Sequence, residues 1–168
     1  MEINIRLATA ADAVALAQLR YEFRAAMDPA QEEEAAFAAR CADWMRRHLE
    51  SAQWRAWVAA TDAGELVGTL WLALIEKVPN PVAEPEEHAY LTNVFVRPAA
   101  RGAGVGSALL REAIAWCAQR GIDTAFLWPS SRSVPWYGRH GFAQPPVLLE
   151  RDFRSVRTTP GVPGAAPA

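Results

Sequence analysis

Apolar and polar residues alternate with a period of two at Ile3, Ile5 and Leu7, which predicts a short, half-buried strand. The period then lengthens. Thr9 and Asp12 stand at capping-box spacing, and Ala13, Leu16, Leu19 and Phe23 follow at helical intervals, so a helix is expected to end near Met27. The pattern restarts at Asp28-Pro29: Asp28 is the expected cap, Pro29 suits the first helical position, and Glu32, Glu33 and Glu34 suit the positive end of the dipole. Phe37, Cys41, Trp44, Met45 and His48 form its apolar stripe. A lone histidine on such a face reads as a packed core residue.

Trp54 to Ala60 and Leu66 to Ile75 read as two strands joined by the tight turn Thr61 to Glu65, a β-hairpin. Lys77 to His88 holds Pro79, Pro81 and Pro85 with Glu84, Glu86 and Glu87, and is expected to be a surface loop bordering a site. Tyr90 to Val96 is the next strand. After a glycine-rich turn, a helix is predicted from about Val105 to Arg120, with Leu109, Leu110, Ala113, Ile114, Trp116 and Cys117 facing inward and Gly121 ending it. Thr124 to Trp128 reads as a strand buried on both sides and parallel to Tyr90–Val96, because strand, helix, strand makes a right-handed crossover. Ser133 to Arg139 is a short helix or turn, Gly141-Phe142 opens a return strand, and Val147 to Phe153 is expected as a final strand. Arg157 to Ala168 is small, polar and rich in Pro and Gly, with nothing to bury, and is expected to be disordered. The chain therefore divides into one domain, 1–153, and a tail, 154–168.

Composition narrows the function classes. A chain of 168 residues suits one domain that buries about 70% of its unfolded surface. Its 17 basic and 19 acidic residues are well mixed and sum to −2, so no field points to nucleic acid or an anionic membrane, and a small partner is expected. Cys41 and Cys117 lie in apolar helical patterns without metal or redox spacing and read as buried, reduced thiols. The first residues lack the apolar run of a signal peptide and no stretch has membrane-spanning length, so a soluble, cytoplasmic protein is expected.

The chemistry concentrates in one stretch, Val94-Phe95-Val96-Arg97-Pro98-Ala99-Ala100-Arg101-Gly102-Ala103-Gly104-Val105-Gly106-Ser107. Glycines at 102, 104 and 106 leave backbone N–H groups bare at a helix start, where the dipole and the unpaired donors favour a phosphate or pyrophosphate. A P-loop would open its helix with Gly-Lys-Ser/Thr, and this one opens Gly106-Ser107-Ala108. A dinucleotide fold would put its third glycine where Ser107 stands and an acid after the next strand, whereas Asp123 precedes it.

These residues in this order resemble the GCN5-related N-acetyltransferases, the GNAT superfamily. Its acyl-CoA signature, Arg/Gln-x-x-Gly-x-Gly/Ala, is matched by Arg101-Gly102-Ala103-Gly104-Val105-Gly106, and its Tyr-x-x-x-Gly-Phe close by Tyr137 to Phe142. The resemblance covers about Ile3 to Phe153. It implies an α/β (α+β) fold: a mixed, mostly antiparallel sheet with a splayed central strand pair and helices on both faces. It implies acetyl-CoA as co-substrate, with the pyrophosphate on N–H groups of Gly102, Ala103, Gly104, Val105, Gly106 and Ser107, Arg101 at its edge, and the pantetheine arm along Val94, Phe95 and Val96. No metal is implied. Ser130 stands where many members carry an asparagine that helps hold the cofactor.

The expected reaction is transfer of an acetyl group to a primary amine, on a small molecule or a peptide, by direct attack in a ternary complex. Tyr137 is the candidate acid toward the departing CoA thiolate, since a phenol is protonated at neutral pH. Asn93 cannot take a proton. The candidates for the base are Glu76, Glu87 and His88, none of them singled out. A sensor or interaction module that binds acyl-CoA without turnover is the alternative. A homodimer is a further expectation from the family.

Overall fold

The computed structural model describes residues 2–144 and 149–150. Besides two 3-10 turns at Ala10–Asp12 and Pro98–Ala100, nine helices and strands occur in them: β1 Ile3–Leu7, α1 Ala13–Ala25, α2 Glu34–Leu49, β2 Trp54–Thr61, β3 Leu66–Glu76, β4 Glu87–Val96, α3 Val105–Arg120, β5 Ala125–Phe126 and α4 Val134–Gly138. The strands form one sheet in the order β1-β2-β3-β4-β5. Every neighbouring pair is antiparallel except β4 and β5, which are parallel. No helix among them is long and apolar enough to cross a membrane.

Two apolar cores lie on the two faces of this sheet. Leu70, Leu72, Leu74 and Leu91 pack with Leu109, Leu110 and Ala113 of α3. Val58, Trp71 and Phe95 face the opposite way and pack with Leu16 and Leu19 of α1 and Met45 of α2. Each fully buried leucine is worth about 1.5–3 kcal/mol of transfer free energy, so the helices clamp the sheet from both sides. The bounds of α3 follow from its sequence, since Gly104 (φ 77°) and Gly121 (φ 75°) take left-handed conformations at its two ends.

Other expectations need correction. Helix α2 starts at Glu34, not at Pro29: the Glu33 carboxylate accepts from the Ala36 N–H at 3.0 Å. Asp28 belongs to the end of α1, its N–H donating to the Arg24 carbonyl at 3.1 Å. Strand β4 begins at Glu87, so Glu87 and His88 are strand residues rather than loop, laddered opposite Glu76 and Ile75. The last proline of the preceding segment is Pro85, and nothing after it forbids pairing.

Strand β5 is the largest departure. Only Ala125 and Phe126 pair, with Ala89 and Tyr90, and Trp128 is 60% exposed where a doubly buried strand was expected. No strand flanks its outer edge among the described residues, so nothing holds the chain straight beyond Phe126. Gly141 to Gln144 forms a turn and irregular chain instead of the start of a return strand. The strand expected over Val147–Phe153 and the tail after it lie outside the described residues, apart from Leu149 and Glu150, which are not in a strand.

Candidate active site

Past Tyr90 the strands β4 and β5 part, and the edge of β4 that faced β5 is bare. One further feature reshapes β4. Trp71 sits opposite Thr92 and Thr69 opposite Phe95, so Asn93 and Val94 together face the single residue Leu70. This is a β-bulge, and Asn93 takes a left-handed backbone (φ 52°) that an asparagine tolerates better than most side chains. The extra residue reverses which side chains face which way. Ala89 and Leu91 point to the α3 face before the bulge, and Val94 and Val96 do so after it. Phe95 turns to the other face, stacked on Phe23 with ring centroids 5.3 Å apart.

On the α3 face a cavity of about 750 Å³ opens in the cleft beside β4. Val94, Val96, Arg101, Gly102, Gly104, Val105, Gly106, Ser107, Ser130 and Tyr137 of the expected set line it, together with Arg132 and Trp136. Ala103 and Phe95 are not among its lining side chains. From Gly102 through Ser107 no backbone N–H makes a hydrogen bond to a backbone carbonyl among the described residues; the first to do so is Ala108, to Gly104 at 2.9 Å. Several unpaired donors thus converge on one helix start, which fits a pyrophosphate. A Cβ built on Gly102 or Gly104 would meet no atom within 4 Å, so what demands glycine there is the positive φ of 81° and 77°.

Side chains around this cradle are fixed in place. The Ser107 hydroxyl and His140 Nε2 are 3.0 Å apart, tying α3 to α4. Arg101 Nε donates to the Val96 carbonyl at 2.9 Å, which fixes the guanidinium against the end of β4. The Ser130 and Ser133 hydroxyls lie 3.0 Å apart, and Ser133 Oγ also donates to the Ser130 carbonyl at 2.9 Å. Tyr137 packs edge-on to Trp136 and Phe142, and burial pushes its phenol above the usual value. It is therefore a proton donor throughout the neutral range.

The residue 16–142 stretch matches the acetyltransferase (GNAT) family. The chain belongs to the GNAT acetyltransferase family. Solved structures share the fold over almost their whole length. A predicted acetyltransferase of Clostridium acetobutylicum, solved with acetyl-CoA, is 20% identical with a TM-score of 0.71, covering 92% of this chain and 98% of its own. A GCN5-related N-acetyltransferase of Ralstonia eutropha is 25% identical with a TM-score of 0.67, covering 90% and 99%. Glucosamine-6-phosphate N-acetyltransferase of Arabidopsis thaliana is 15% identical with a TM-score of 0.67, covering 91% and 99%. No curated protein matches the sequence.

A second cavity, of about 470 Å³, opens on the opposite face of this GNAT fold, between α1, α2 and β4. Tyr90, Thr92 and Asn93 form its β4 wall, so Asn93 and Val94, neighbours in sequence, line different cavities on different faces of the sheet. Trp44, Trp54 and Trp71 converge there, while Trp57 goes to the other face against Trp116. Nothing in the sequence sorts these tryptophans until the sheet faces are known. Glu76, Glu87 and His88 line neither cavity. Arg120 Nε donates to Glu87 at 2.9 Å, His88 Nδ1 is 3.7 Å from Asp123 Oδ1, and Glu76 is exposed.

Proposed function

We propose that the protein transfers an acetyl group from acetyl-CoA to a primary amine by direct attack within a ternary complex. What carries this reading is the bulge, where a cavity suited to the cofactor and a cavity suited to an acceptor meet across one residue step, Asn93 to Val94. The N–H cradle from Gly102 to Ser107 takes the pyrophosphate, with Arg101 and Arg132 beside it and Ser130 as a hydroxyl partner further along. The bare edge of β4 from Val94 accepts the arm as an added pseudo-strand, which needs only main-chain bonds.

The amine lone pair attacks the thioester carbonyl carbon, and the carbon–sulfur bond breaks as the tetrahedral adduct collapses. The bulge takes Asn93 and Val94 out of one-to-one register with β3, and a backbone N–H turned toward the cleft there suits the oxyanion of that adduct. Tyr137 gives its proton, or a strong hydrogen bond, to the departing thiolate. The nitrogen sheds its proton through water, toward Glu76 at the end of β3 or Glu87 or His88 at the start of β4; His88 is four residues from Thr92, about 13 Å along a strand.

Replacing Tyr137 with Phe tests the assignment. Turnover falls at least tenfold, about 1.4 kcal/mol of barrier, while CoA affinity stays nearly intact. A Tyr137→Phe enzyme with full turnover would remove the tyrosine from the mechanism.

A further inference from the structure

We propose that the acceptor is an aromatic amine that also carries a carboxylate, seated in the second cavity with its acid group on Arg20 and its ring among Trp44, Trp54 and Trp71. The inference rests on the transfer reading above and adds the chemical class of the molecule acetylated.

The ring site is built. Trp44 lies 5.2 Å from Trp54 and 5.7 Å from Trp71, centroid to centroid, and Trp54 lies 6.2 Å from Trp71. His48 stacks on the far side of this group, 3.7 Å from Trp44, and its Nδ1 lies 2.7 Å from the Trp44 carbonyl, which holds the Trp44 ring in place. The indole N–H of Trp71, a residue only 2% exposed, has no acceptor among the described residues.

Charge decides between two kinds of aromatic ligand. A cluster of indoles also suits a cation over its faces. Here, however, Arg20, Arg40 and Arg47 line the cavity and no Asp or Glu does. Arg40 is already paired with Glu32 at 2.6 Å. Arg20 is not: its guanidinium donates to the neutral amide oxygen of Asn93 at 3.0 Å, and no carboxylate pairs with it among the described residues. Burial, and Arg24 nearby, lower its pKa, the mark of a cation held from water without a counter-charge. A ligand carboxylate supplies that charge, and a planar guanidinium grips it in two-point fashion.

Position then links recognition to reaction. Because Arg20 bonds Asn93, an acid group on Arg20 stands beside the bulge, and an amine one or two carbons away lies at the Asn93–Val94 step between the two cavities. The same positive charge disfavours the ammonium form of that amine, so more of it enters as the free base that attack requires.

The experiment uses the full chain with acetyl-CoA and matched amines: phenylalanine and tryptophan, their decarboxylated partners phenethylamine and tryptamine, and spermidine, scored by thiol release and product mass. The amino acids are expected to exceed their partners in kcat/KM by about tenfold or more. Arg20→Met erases that difference and Arg20→Lys keeps part of it, both binding CoA like the parent, which also shows that they fold. Preference for the decarboxylated amines or spermidine would overturn the acceptor class and leave acetyl transfer standing. Product from none of them would count against transfer itself, and a binding arm then decides the cavity's chemistry. Phenylpropionate, which has no amine, is expected to quench tryptophan fluorescence saturably in the parent and not in Arg20→Met. Equal quenching in both, or none, overturns the assignment.

Discussion

Ser107→Asp separates the stability of the glycine turn from its binding of an anion, because the two should move in opposite directions. Gly104 caps α3, which makes residue 107 the third helical position, within the first turn. An aspartate there faces the positive end of the helix and gains about 0.3–1 kcal/mol, more when the adjoining His140 is protonated. For a chain of this length that raises Tm by about 1–4 °C. The same carboxylate lies in the wall where the pyrophosphate is expected. At about 5 Å and an effective dielectric of about 20, one pair of like charges costs about 3 kcal/mol. If screening removes half, CoA still binds about tenfold more weakly. The assay is calorimetric titration with CoA and with pantetheine, which lacks the phosphates, beside a thermal melt. Ser107→Asn controls for the lost hydroxyl. Full CoA affinity in Ser107→Asp, or an equal loss for pantetheine, would refute an anion site at the turn.

Gly68→Ala probes the packing between β3, β4 and α3. A Cβ there would sit 3.2 Å from the Phe95 carbonyl oxygen, 3.3 Å from Leu109 Cδ1 and 3.4 Å from Val96 Cγ2, and a backbone carbonyl cannot yield as a side chain does. Overpacking of about 1–3 kcal/mol outweighs the roughly 0.5–1 kcal/mol gained by removing a glycine, so the denaturation midpoint should fall with an unchanged slope. Asp12 accepts from the Thr9 N–H at 2.8 Å, and the Arg6 guanidinium holds its carboxyl down from 3.8 to about 2. A depressed acid stabilises the fold above its unfolded value and loses that contribution as pH falls through the folded one. Asp12→Ala should therefore lose about 1 kcal/mol at pH 7, with the gap to the parent narrowing as melts are taken below pH 4; a gap that stays constant would contradict the pairing.

How much was legible depended on whether a feature is written locally. The ends of α3 were, because each is a glycine in a conformation other residues resist. The glycine turn was legible for the same reason, and the cavity beside it is lined by the residues expected there apart from Ala103 and Phe95. The start of α2 was not, since Asp28 and Glu33 are both acceptable caps and only the docking of α1 assigns Asp28 to its own end. The length of β5 depends on a partner strand rather than on its own apolar run. Hidden most deeply were the bulge and Arg20. The bulge is a matter of register against β3, and Arg20 reads as an ordinary polar position beside Leu19 until the fold brings it to Asn93, 73 positions away.

The bulge also bears on how such a protein changes over time. On a regular strand, positions two apart share one wall, so altering what one ligand touches disturbs its neighbours on the same side. Here the inserted residue hands Tyr90 and Thr92 to one chamber and Val94 and Val96 to the other. Substitutions upstream of Asn93 change the wall of the chamber beside α1 and α2 and leave the other wall as it was, and deleting the residue at 93 would restore plain alternation with every remaining side chain still on its own face.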